Sequence, residues 1–469
     1  MSFALRPYQD AILAEVREHL RAGRRSILIQ APTGSGKTAL TAYMAGTAAE
    51  RGRRVWFTVH RRELIRQSML TFGEVGIAYG VIAAGFAPDP RRRVQICGIQ
   101  TLGRRAERLK RPDIIIVDEA HHIAASSWAA ILQQFSGAIV IGLSATPERL
   151  DGAGLSAHFE VMVCGPSTAQ LIAEGWLAPY RLFAPRPPDL AGVHTKLGDF
   201  VRGEVSAVMD TPRLTGDAIQ HYLRLARGKR ALAFACSIEH SRHIVEQARA
   251  AGIRAAHVDG ETHHVERDAA FQAFARGEIQ FLSNVELAGE GVDIPGIEVA
   301  ILLRPTQSLA LYLQQVGRSL RPAAGKTEAL ILDHAGNALR HGLPDDERLW
   351  TLEGRRRRRL ADAENQVPIK ICPRCFLACA SPAAACKHCG FVFPVEGRQV
   401  EEVAGELVEV DPDVVRAQRK REERRASTLE DLVALGRARG YRYPEQWAQY
   451  VYRGRKAARA RYGAVRWGT

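Results

Sequence analysis

The sequence lacks any run of eighteen apolar residues, and so contains no candidate transmembrane helix. Its first residues, MSFALRPYQDAILAEV, lack the basic segment, apolar stretch and small-residue cleavage site of a secretory signal. Disorder and fibrous repeats are also disfavoured, because hydrophobic residues make up 46% and charged residues 25% of the chain. We therefore expect a folded, cytoplasmic protein with no membrane partner.

Cysteine is scarce outside one segment of the chain. Of eight cysteines, Cys97, Cys164 and Cys236 are isolated among apolar residues, and the other five crowd between Cys372 and Cys389. In a cytoplasmic chain such clustering favours metal binding over disulfide bonds.

Acidic residues are too few to balance the basic ones, with 51 against 65 and a net charge of +14. Such an excess favours an anionic polymer as partner, because neutralised phosphates release condensed counterions. Residues 436–469 contain nine Lys or Arg against one acid, Glu445, and so supply +8 of the +14. The sequence therefore ends in a basic arm.

At 469 residues the chain is too long for one core, and ordinary domain sizes predict three or four folding units. Short apolar, β-rich runs alternate with helical stretches, a pattern typical of buried parallel sheets. The first set is SILIQ, VWFTV, RVQICGI, DIIIVD and AIVIGL, and the second is ALAFA, RAAHV, IQFLS, EVAILL and EALILD. This α/β pattern predicts domains at residues 1–165 and 166–350, followed by a knuckle at 366–396 and a C-terminal module at 410–469.

A glycine-rich loop, APTGSGKT at residues 31–38, follows the first predicted strand and opens a helix. Phosphate-binding loops require this context, because backbone N–H groups at Gly34 and Gly36 can then approach the phosphates. Lys37 can reach the β and γ phosphates, and Thr38 can bind magnesium. The loop predicts nucleotide binding.

Two adjacent carboxylates, Asp118 and Glu119, end the run IIIV at the sheet edge where ligands bind in such folds. Asp118 suits the magnesium shell, and Glu119 suits orientation of the attacking water. A surface Asp-Glu pair would be the simpler interpretation in isolation, but here the pair follows a phosphate loop. We predict ATP hydrolysis with magnesium as cofactor.

Together with this loop, eight segments resemble the motifs of superfamily 2 helicases of the DEAH-box type. They are LRPYQ at 5–9, VHRRELIRQ at 59–67, GIQTLGRR at 98–105, VDEAHH at 117–122, GLSATPERLDG at 142–152, FACSIEHS at 234–241, AGEGVDIP at 288–295 and QQVGRSLRP at 314–322. The resemblance covers residues 3 to 335. It implies two tandem RecA-like parallel-sheet domains and ATP-driven movement on a nucleic-acid strand.

The resemblance also implies roles for individual residues, with Gln9 as the adenine-recognising amide and Arg6 as a flanking contact. The implied nucleotide contacts are Arg6, Gln9, Thr33, Gly34, Ser35, Gly36, Lys37, Thr38, Gly291 and Asp293. Ser144 and Thr146 resemble the motif that couples the ATP site to the strand, with helix capping as the alternative.

Arg318 and Arg321 lie three residues apart, which places both on one face of a helix. Hydrolysis spreads negative charge over the transferring phosphoryl oxygens, and an arginine from another domain stabilises that charge. We expect both arginines to be catalytic, so that hydrolysis depends on domain closure.

Two CxxC pairs ten residues apart, Cys372 with Cys375 and Cys386 with Cys389, have the spacing of a zinc-ribbon-like knuckle. Four thiolates satisfy zinc completely, which predicts a structural rather than a catalytic zinc site. The alternatives are a redox pair, or replacement of one of these ligands by Cys379 or His388.

Aromatic residues alternate with arginines in the basic arm. They are Tyr441, Tyr443, Trp447, Tyr450, Tyr452, Tyr462 and Trp467. Such rings can stack on unpaired bases, although the helical spacing of Trp447, Tyr450 and Tyr452 suits a small helical core equally well.

A helicase core followed by a four-cysteine knuckle and GYRYPEQWAQYVYR is most similar to bacterial RadD-type DNA-repair helicases. That resemblance implies a nucleoid-associated helicase or translocase acting on single-stranded or branched DNA in repair or recombination. It also implies repair proteins, such as a single-strand-binding protein, as partners. An RNA helicase, and a DNA-binding or strand-annealing ATPase with little unwinding, are the alternatives.

Overall fold

A computed structural model of the chain describes residues 4–123, 126–149, 152–185, 188–196, 198–286, 296–354, 369–394, 420–423, 425–439, 444–445, 447–449 and 451–452. The chain divides into two compact units, Met1–Pro394 and Val395–Thr469. None of the helices in these described ranges combines the length and apolarity needed to cross a bilayer.

The first domain is a seven-stranded parallel sheet covered by helices. Its elements are α1 (Pro7–Arg21), β1 (Ser26–Gln30), α2 (Lys37–Glu50), β2 (Val55–Val59), α3 (Arg62–Glu74), β3 (Tyr79–Ile82), β4 (Val94–Gly98), α4 (Ile99–Arg105), β5 (Ile114–Val117), α5 (Ser126–Gln134), β6 (Ile139–Ser144) and β7 (Val161–Cys164). Short 3₁₀ helices span Ala106–Arg108 and Ala120–His122. The strand order is β3-β4-β2-β5-β6-β1-β7. The central strands are continuous apolar runs because helices bury both faces of the sheet.

The second domain repeats this plan with six parallel strands in the order β12-β13-β11-β14-β15-β8. Its elements are α6 (Thr168–Ala173), β8 (Tyr180–Phe183), β9 (Thr195–Lys196), β10 (Asp199–Phe200), α7 (Arg202–Met209), α8 (Pro212–Ala226), β11 (Ala231–Phe234), α9 (Ile238–Ala250), β12 (Ala255–Val258), α10 (His264–Ala275), β13 (Phe281–Asn284), β14 (Val299–Leu302), α11 (Leu309–Ser319), β15 (Ala329–Asp333) and α12 (Asn337–His341). Strands β9 and β10 form a separate antiparallel hairpin between β8 and α7.

The predicted fold class, two tandem RecA-like parallel-sheet domains, is confirmed. The sequence pattern missed β3, β7 and β8. Each of these strands has only four residues and lies at a sheet edge, where it pairs with one neighbour. Such short runs carry little periodicity of their own, and their place is set by the neighbouring strand.

After the second domain, residues 351–354 return to the first domain. The N–H groups of Leu155 and Ser156 donate to the carbonyl of Leu352 at 2.7 and 2.9 Å. A Cβ on Gly154 would lie 2.1 Å from the same carbonyl, so only glycine permits this approach. The exit from the second domain is therefore bound to the first.

The cysteine-rich segment packs against the second domain. Its strands β16 (Ile369–Ile371) and β17 (Ala378–Ala380) form an antiparallel pair. Leu377 bridges Phe183 of edge strand β8, and the Ala184 N–H donates to the Phe376 carbonyl at 2.9 Å. The knuckle thereby covers part of an exposed sheet edge.

The C-terminal unit contains helix α13 (Leu429–Ala438), whose first turn is capped reciprocally by Thr428 and Asp431. Leu432 and Ala448 are buried together, with Trp447 packed against them. Trp447 therefore contributes to a small helical core, one of the two roles considered for it, whereas the Tyr452 side chain is 41% exposed. The remaining aromatic residues of the basic arm lie outside the described residues.

Candidate ATP site and metal centre

The phosphate loop connects β1 to α2 and takes a conformation that glycine allows. Gly34 and Gly36 have φ angles of 88° and 77°. A Cβ at Gly34 would lie 2.9 Å from Leu177 Cδ2, and one at Gly36 would lie 2.9 Å from Gln9 Nε2. The buried Ser35 hydroxyl has no hydrogen-bond partner among the described residues. A cradle of this shape with an unsatisfied hydroxyl fits a nucleotide polyphosphate.

The Lys37 amine folds back onto its own loop. It donates to the carbonyl oxygens of Ala31 at 3.0 Å and Pro32 at 3.2 Å. Burial lowers the pKa of this amine, and the nearby carboxylates of Glu119 and Asp118 oppose that shift. A bound phosphate would offer the amine a stronger, charged acceptor.

Asp118 and Glu119 follow β5 at the carboxyl edge of the sheet. Burial, followed by the charge of Glu119, raises the pKa of Asp118 to about 6. Glu119 has a left-handed φ of 47°, which is costly for a residue with a side chain and is found mainly at functional sites. Its Oε2 lies 3.4 Å from Nδ1 of His121. A carboxylate and the Thr38 hydroxyl are oxygen donors of the type that Mg²⁺ prefers.

His121 joins this carboxylate pair to the next motif. Its Nδ1 lies 3.2 Å from the Ser144 hydroxyl, which donates to the carbonyl of Thr146 at 2.6 Å. Ser144 ends β6, and no helix begins at Thr146, so these contacts give no support to helix capping. The geometry instead places Ser144 and Thr146 beside the predicted catalytic residues.

The second domain closes over the phosphate loop through α11. A Cβ on Gly317 would lie 2.5 Å from Thr33 Cβ, and one on Gly34 would lie 3.5 Å from Arg321 Cγ. Arg318 is only 6% exposed. The structure thus brings both predicted arginines to the same cleft as Lys37, where their positive charges also lower the pKa of its amine.

Gln9 anchors the phosphate loop to α1. Its amide oxygen accepts from the Arg6 N–H at 3.0 Å, and its amide nitrogen donates to the Ser35 carbonyl at 3.2 Å. Tyr8 donates its hydroxyl to the same carbonyl at 2.7 Å. Adenine recognition by Gln9 and Arg6 stays a prediction, as do the roles of Gly291 and Asp293, which lie outside the described residues.

Sequence reasoning missed two residues of this site, Trp176 and Leu177. The Arg6 guanidinium lies 4.6 Å from the centre of the Trp176 ring, and Tyr8 meets the same ring edge-on at 6.2 Å. Leu177 contacts the phosphate loop at Gly34. A lone GWL segment carries no motif that could have signalled these contacts.

The four predicted zinc ligands converge. The sulfur atoms of Cys372, Cys375, Cys386 and Cys389 all lie within 4.8 Å of one another. The Cys372–Cys389 and Cys375–Cys386 pairs are each 3.5 Å apart. Zn–S bonds of about 2.3 Å in a tetrahedron place sulfurs about 3.8 Å apart, so the cluster fits zinc.

The two alternative ligands lie outside the four-sulfur group and have other contacts. Cys379 donates weakly to the Leu377 carbonyl at 3.7 Å. The His388 ring packs against Phe183 at 5.5 Å, and its Nδ1 lies 3.4 Å from Arg181. Within the described residues, the group suited to a metal is therefore the set of four cysteines.

Two closed RecA-like domains, with a phosphate loop in one and paired arginines from the other, define an ATPase of the helicase type. Residues 2–149 match the family model for the res subunit of type III restriction enzymes, and residues 215–323 match the conserved C-terminal helicase domain. The chain is 32% identical over 415 residues to a 51.5 kDa protein of Lactococcus phage (isolate 7-9), with 88% of each chain covered. The chain therefore belongs to the superfamily 2 helicases, in the same family as this phage protein.

Two more distant similarities agree with this family assignment. IRC3 of Saccharomyces cerevisiae, provisionally named an ATP-dependent helicase, is 29% identical over 357 residues, which cover 71% of this chain and 51% of the yeast protein. The chain thus spans about half the length of that relative. A solved fragment of a provisionally assigned HsdR subunit of a type I restriction enzyme from Vibrio vulnificus YJ016 superposes with a TM-score of 0.56 at 24% identity. That match covers 72% of this chain and 67% of the fragment and shows the shared fold.

Proposed function

We propose that this chain is a DEAH-box-type, RadD-like DNA helicase or translocase that acts on single-stranded or branched DNA during repair or recombination. The observation that carries the proposal is the packing of Gly317 and Arg321 against the phosphate loop of the other domain, with Arg318 buried on the same helix. Hydrolysis then requires domain closure, and alternating closure and opening moves the two domains along a strand.

The roles of the ATP-site residues follow from chemistry. Lys37 holds the β and γ phosphates, and Glu119 orients the attacking water. Arg318 and Arg321 stabilise the charge that develops on the transferring phosphoryl group. Thr38 and Asp118 would hold Mg²⁺, and the ion would neutralise phosphate charge. Gln9 and Arg6 contact the adenine, and Thr33, Ser35, Gly291 and Asp293 complete the nucleotide contacts.

A nucleic-acid strand is favoured because the chain carries a net charge of +14. DNA is favoured over RNA because the family model matched by the first domain is that of a restriction-enzyme subunit, a class of enzymes that cut DNA. The basic residues of 410–469 suit phosphate binding, and a zinc-stabilised knuckle at 366–396 supports the second domain. We place the protein in the cytoplasm near the nucleoid, with a single-strand-binding protein as a candidate partner.

The test is ATP hydrolysis measured with no nucleic acid, with single-stranded DNA, with forked DNA and with RNA of matched sequence. We expect DNA to stimulate hydrolysis, and Lys37→Ala and Glu119→Gln to abolish it. Hydrolysis that survives both substitutions would refute the proposal. Stronger stimulation by RNA would identify an RNA helicase. Strong DNA-stimulated hydrolysis without strand displacement would favour a translocase or an annealing ATPase.

A further inference from the structure

Helix α11 ends beside the ATP site, with Arg318 in its last turn and Arg321 two residues beyond its end. The last carbonyl groups of a helix have no partner within the helix, so other groups must satisfy them. One of them, the Val316 carbonyl, accepts from the Ser319 hydroxyl at 2.8 Å. Because Arg321 lies outside the helix, helical hydrogen bonds do not fix its backbone, and the direction of its side chain depends on other contacts.

The amine of Lys326 supplies those contacts. Its Nζ donates to the carbonyl oxygens of Ser319, of Arg321 at 2.7 Å and of Ile297 at 2.8 Å. An ammonium group has three hydrogens, so this set of acceptors uses all of them. Ser319 directly follows Arg318 and is fully buried, so its carbonyl has no access to water in place of the amine. One side chain therefore holds the backbone next to both predicted catalytic arginines.

The loop after α11 is shaped to bring Lys326 back to the helix end. Its backbone N–H donates to the Ala323 carbonyl at 3.1 Å, and Gly325 has a left-handed φ of 75° in this turn. The third acceptor, Ile297, is buried just before β14, a strand paired on both sides within the sheet. The amine thus ties the end of α11 to the core of the second domain.

A second tether joins the same helix end to the phosphate loop. The Leu320 carbonyl accepts from the Ala178 N–H at 2.7 Å. Leu177, the preceding residue, is the one that a Cβ on Gly34 would approach to 2.9 Å. A shift of the helix end would therefore also move a residue that packs against the phosphate loop.

The charge of the Lys326 amine is sensitive to pH. Burial lowers its pKa to about 8, the carboxylate of Glu298 opposes that shift, and the positive charges of Arg230 and Lys229 add to it. Glu298 is itself held by Lys229 at 3.4 Å and by the Arg230 N–H at 3.0 Å. A neutral amine has two hydrogens and directs a lone pair at the third carbonyl, so loss of the proton breaks one of the three contacts.

We propose that Lys326 is a positioning residue for ATP hydrolysis, and that its ammonium group orients Arg318 and Arg321 by holding the carbonyls at the end of α11. The inference rests on the proposed function, in which these arginines act on the transferring phosphoryl group. All three hydrogen bonds of the amine end within the second domain, so Lys326 acts through the arginines and not on the nucleotide.

The test compares Lys326→Met with a matched substitution, Lys229→Met. Both replace an amine of the second domain with an unbranched apolar side chain, but Lys229 pairs with Glu298 and not with the end of α11. The kcat and KM for ATP are measured with saturating single-stranded DNA, and ATP binding is measured by calorimetry. Temperatures well below each thermal midpoint keep the variants folded.

Misplacement of a catalytic group by about 1 Å costs about a hundredfold in rate. We therefore expect Lys326→Met to lower kcat about tenfold to a hundredfold while KM stays within about twofold, because Lys37 and the phosphate loop are unchanged. Lys229→Met should leave both constants within about twofold. Equal kcat values for the two folded variants would overturn the proposal.

The pH profile separates positioning from stability and covers the case in which Lys326→Met does not fold. The wild-type kcat should fall as pH rises through about 8, the pKa of the amine. Lys326→Arg should show a smaller fall, since guanidinium keeps its proton at every pH used. Lys37 is present in both proteins, so its own titration cancels in the comparison. A wild-type rate that falls no more than that of Lys326→Arg would contradict a role for the ammonium.

Two outcomes distinguish this inference from its alternatives. A lysine needed only for stability would lower the thermal midpoint in Lys326→Met but leave kcat below that midpoint unchanged, which would refute positioning. A wild-type chain that hydrolyses no ATP refutes the proposed function as well, whereas normal wild-type hydrolysis with no effect of Lys326→Met refutes this inference alone.

Discussion

The ATP cleft draws its side chains from positions as far apart as Gln9 and Arg321, whereas the four cysteine sulfurs come from the 18 residues between Cys372 and Cys389. The cleft holds strain and buried charge, with Glu119 in a left-handed conformation and Asp118 at a raised pKa. The knuckle has a donor set that one zinc ion would satisfy completely. The difference shows that the ATP cleft is assembled from strained and buried charged groups on two domains, while the cysteine cluster comes from one short segment.

The largest expected effect concerns the knuckle. Cys386→Ser combined with Cys389→Ser should abolish zinc binding, which is worth on the order of 10 kcal/mol to such a unit, and lower the thermal midpoint of the second domain. Elemental analysis measures the zinc content, and thermal unfolding measures the midpoint. Cys379→Ser is the matched control and should retain the metal, because this sulfur faces the Leu377 carbonyl. Unchanged zinc in the double variant would contradict a four-cysteine site.

The next effect concerns the cleft. Arg318→Lys should slow ATP hydrolysis about a thousandfold, because an ammonium cannot reproduce the forked contact of guanidinium with the phosphoryl oxygens. ATP binding, measured by calorimetry, should change little. Arg276→Lys, on an exposed pair, is the control. If Arg318→Lys retains the wild-type rate of hydrolysis, then closure of the second domain is not required for the chemical step.

A third prediction concerns the loss of stability caused by burial of the ionised Asp118 carboxylate. Because the folded pKa of Asp118 is about 6 and the unfolded value about 3.9, stability from this group is present below about pH 4 and is lost as pH rises through about 6. Asp118→Asn should therefore raise the free energy of unfolding at about pH 8 by up to about 3 kcal/mol and abolish hydrolysis. Urea unfolding well above and well below these two pKa values, without nucleotide, tests the sign. An equal gain at both pH values would show that ionisation is not the cause.

The smallest predicted effect probes the contact between the domains. Gly317→Ala introduces a Cβ 2.5 Å from Thr33, and overpacking of this kind costs about 1 to 3 kcal/mol, so hydrolysis should fall about tenfold to a hundredfold. Gly203→Ala on α7 is the control, because a Cβ there meets nothing within 4 Å. If both variants hydrolyse ATP at the wild-type rate, the close approach of α11 to the phosphate loop does not persist during turnover.

Local chemistry made much of the protein predictable. APTGSGKT requires glycines where the backbone must approach phosphate, and β1 and β2 coincide with SILIQ and VWFTV because continuous apolar runs suit strands buried on both faces. The four cysteines could be predicted as a metal-binding set because zinc ligands within one short unit need a fixed spacing. Among the strands missed, β3, β7 and β8 are short edge strands whose position depends on a neighbour.

The remaining features depend on contacts between residues distant in sequence. The Trp176 ring lies against the Arg6 guanidinium, and the Leu352 carbonyl accepts hydrogen bonds from the first domain. Glu286 accepts hydrogen bonds from Arg61, Arg202 and Arg304. None of these contacts follows a local repeat.

The sequence by itself determined the two parallel-sheet domains, the phosphate loop, the carboxylate pair and the cysteine ligand set, because each depends on residue types at fixed local spacing. Tertiary structure alone decided that α11 meets the phosphate loop and that Trp176 packs against Arg6. Packing of two separately encoded domains sets those distances, and periodicity along one segment carries no information about the face that another segment presents to it.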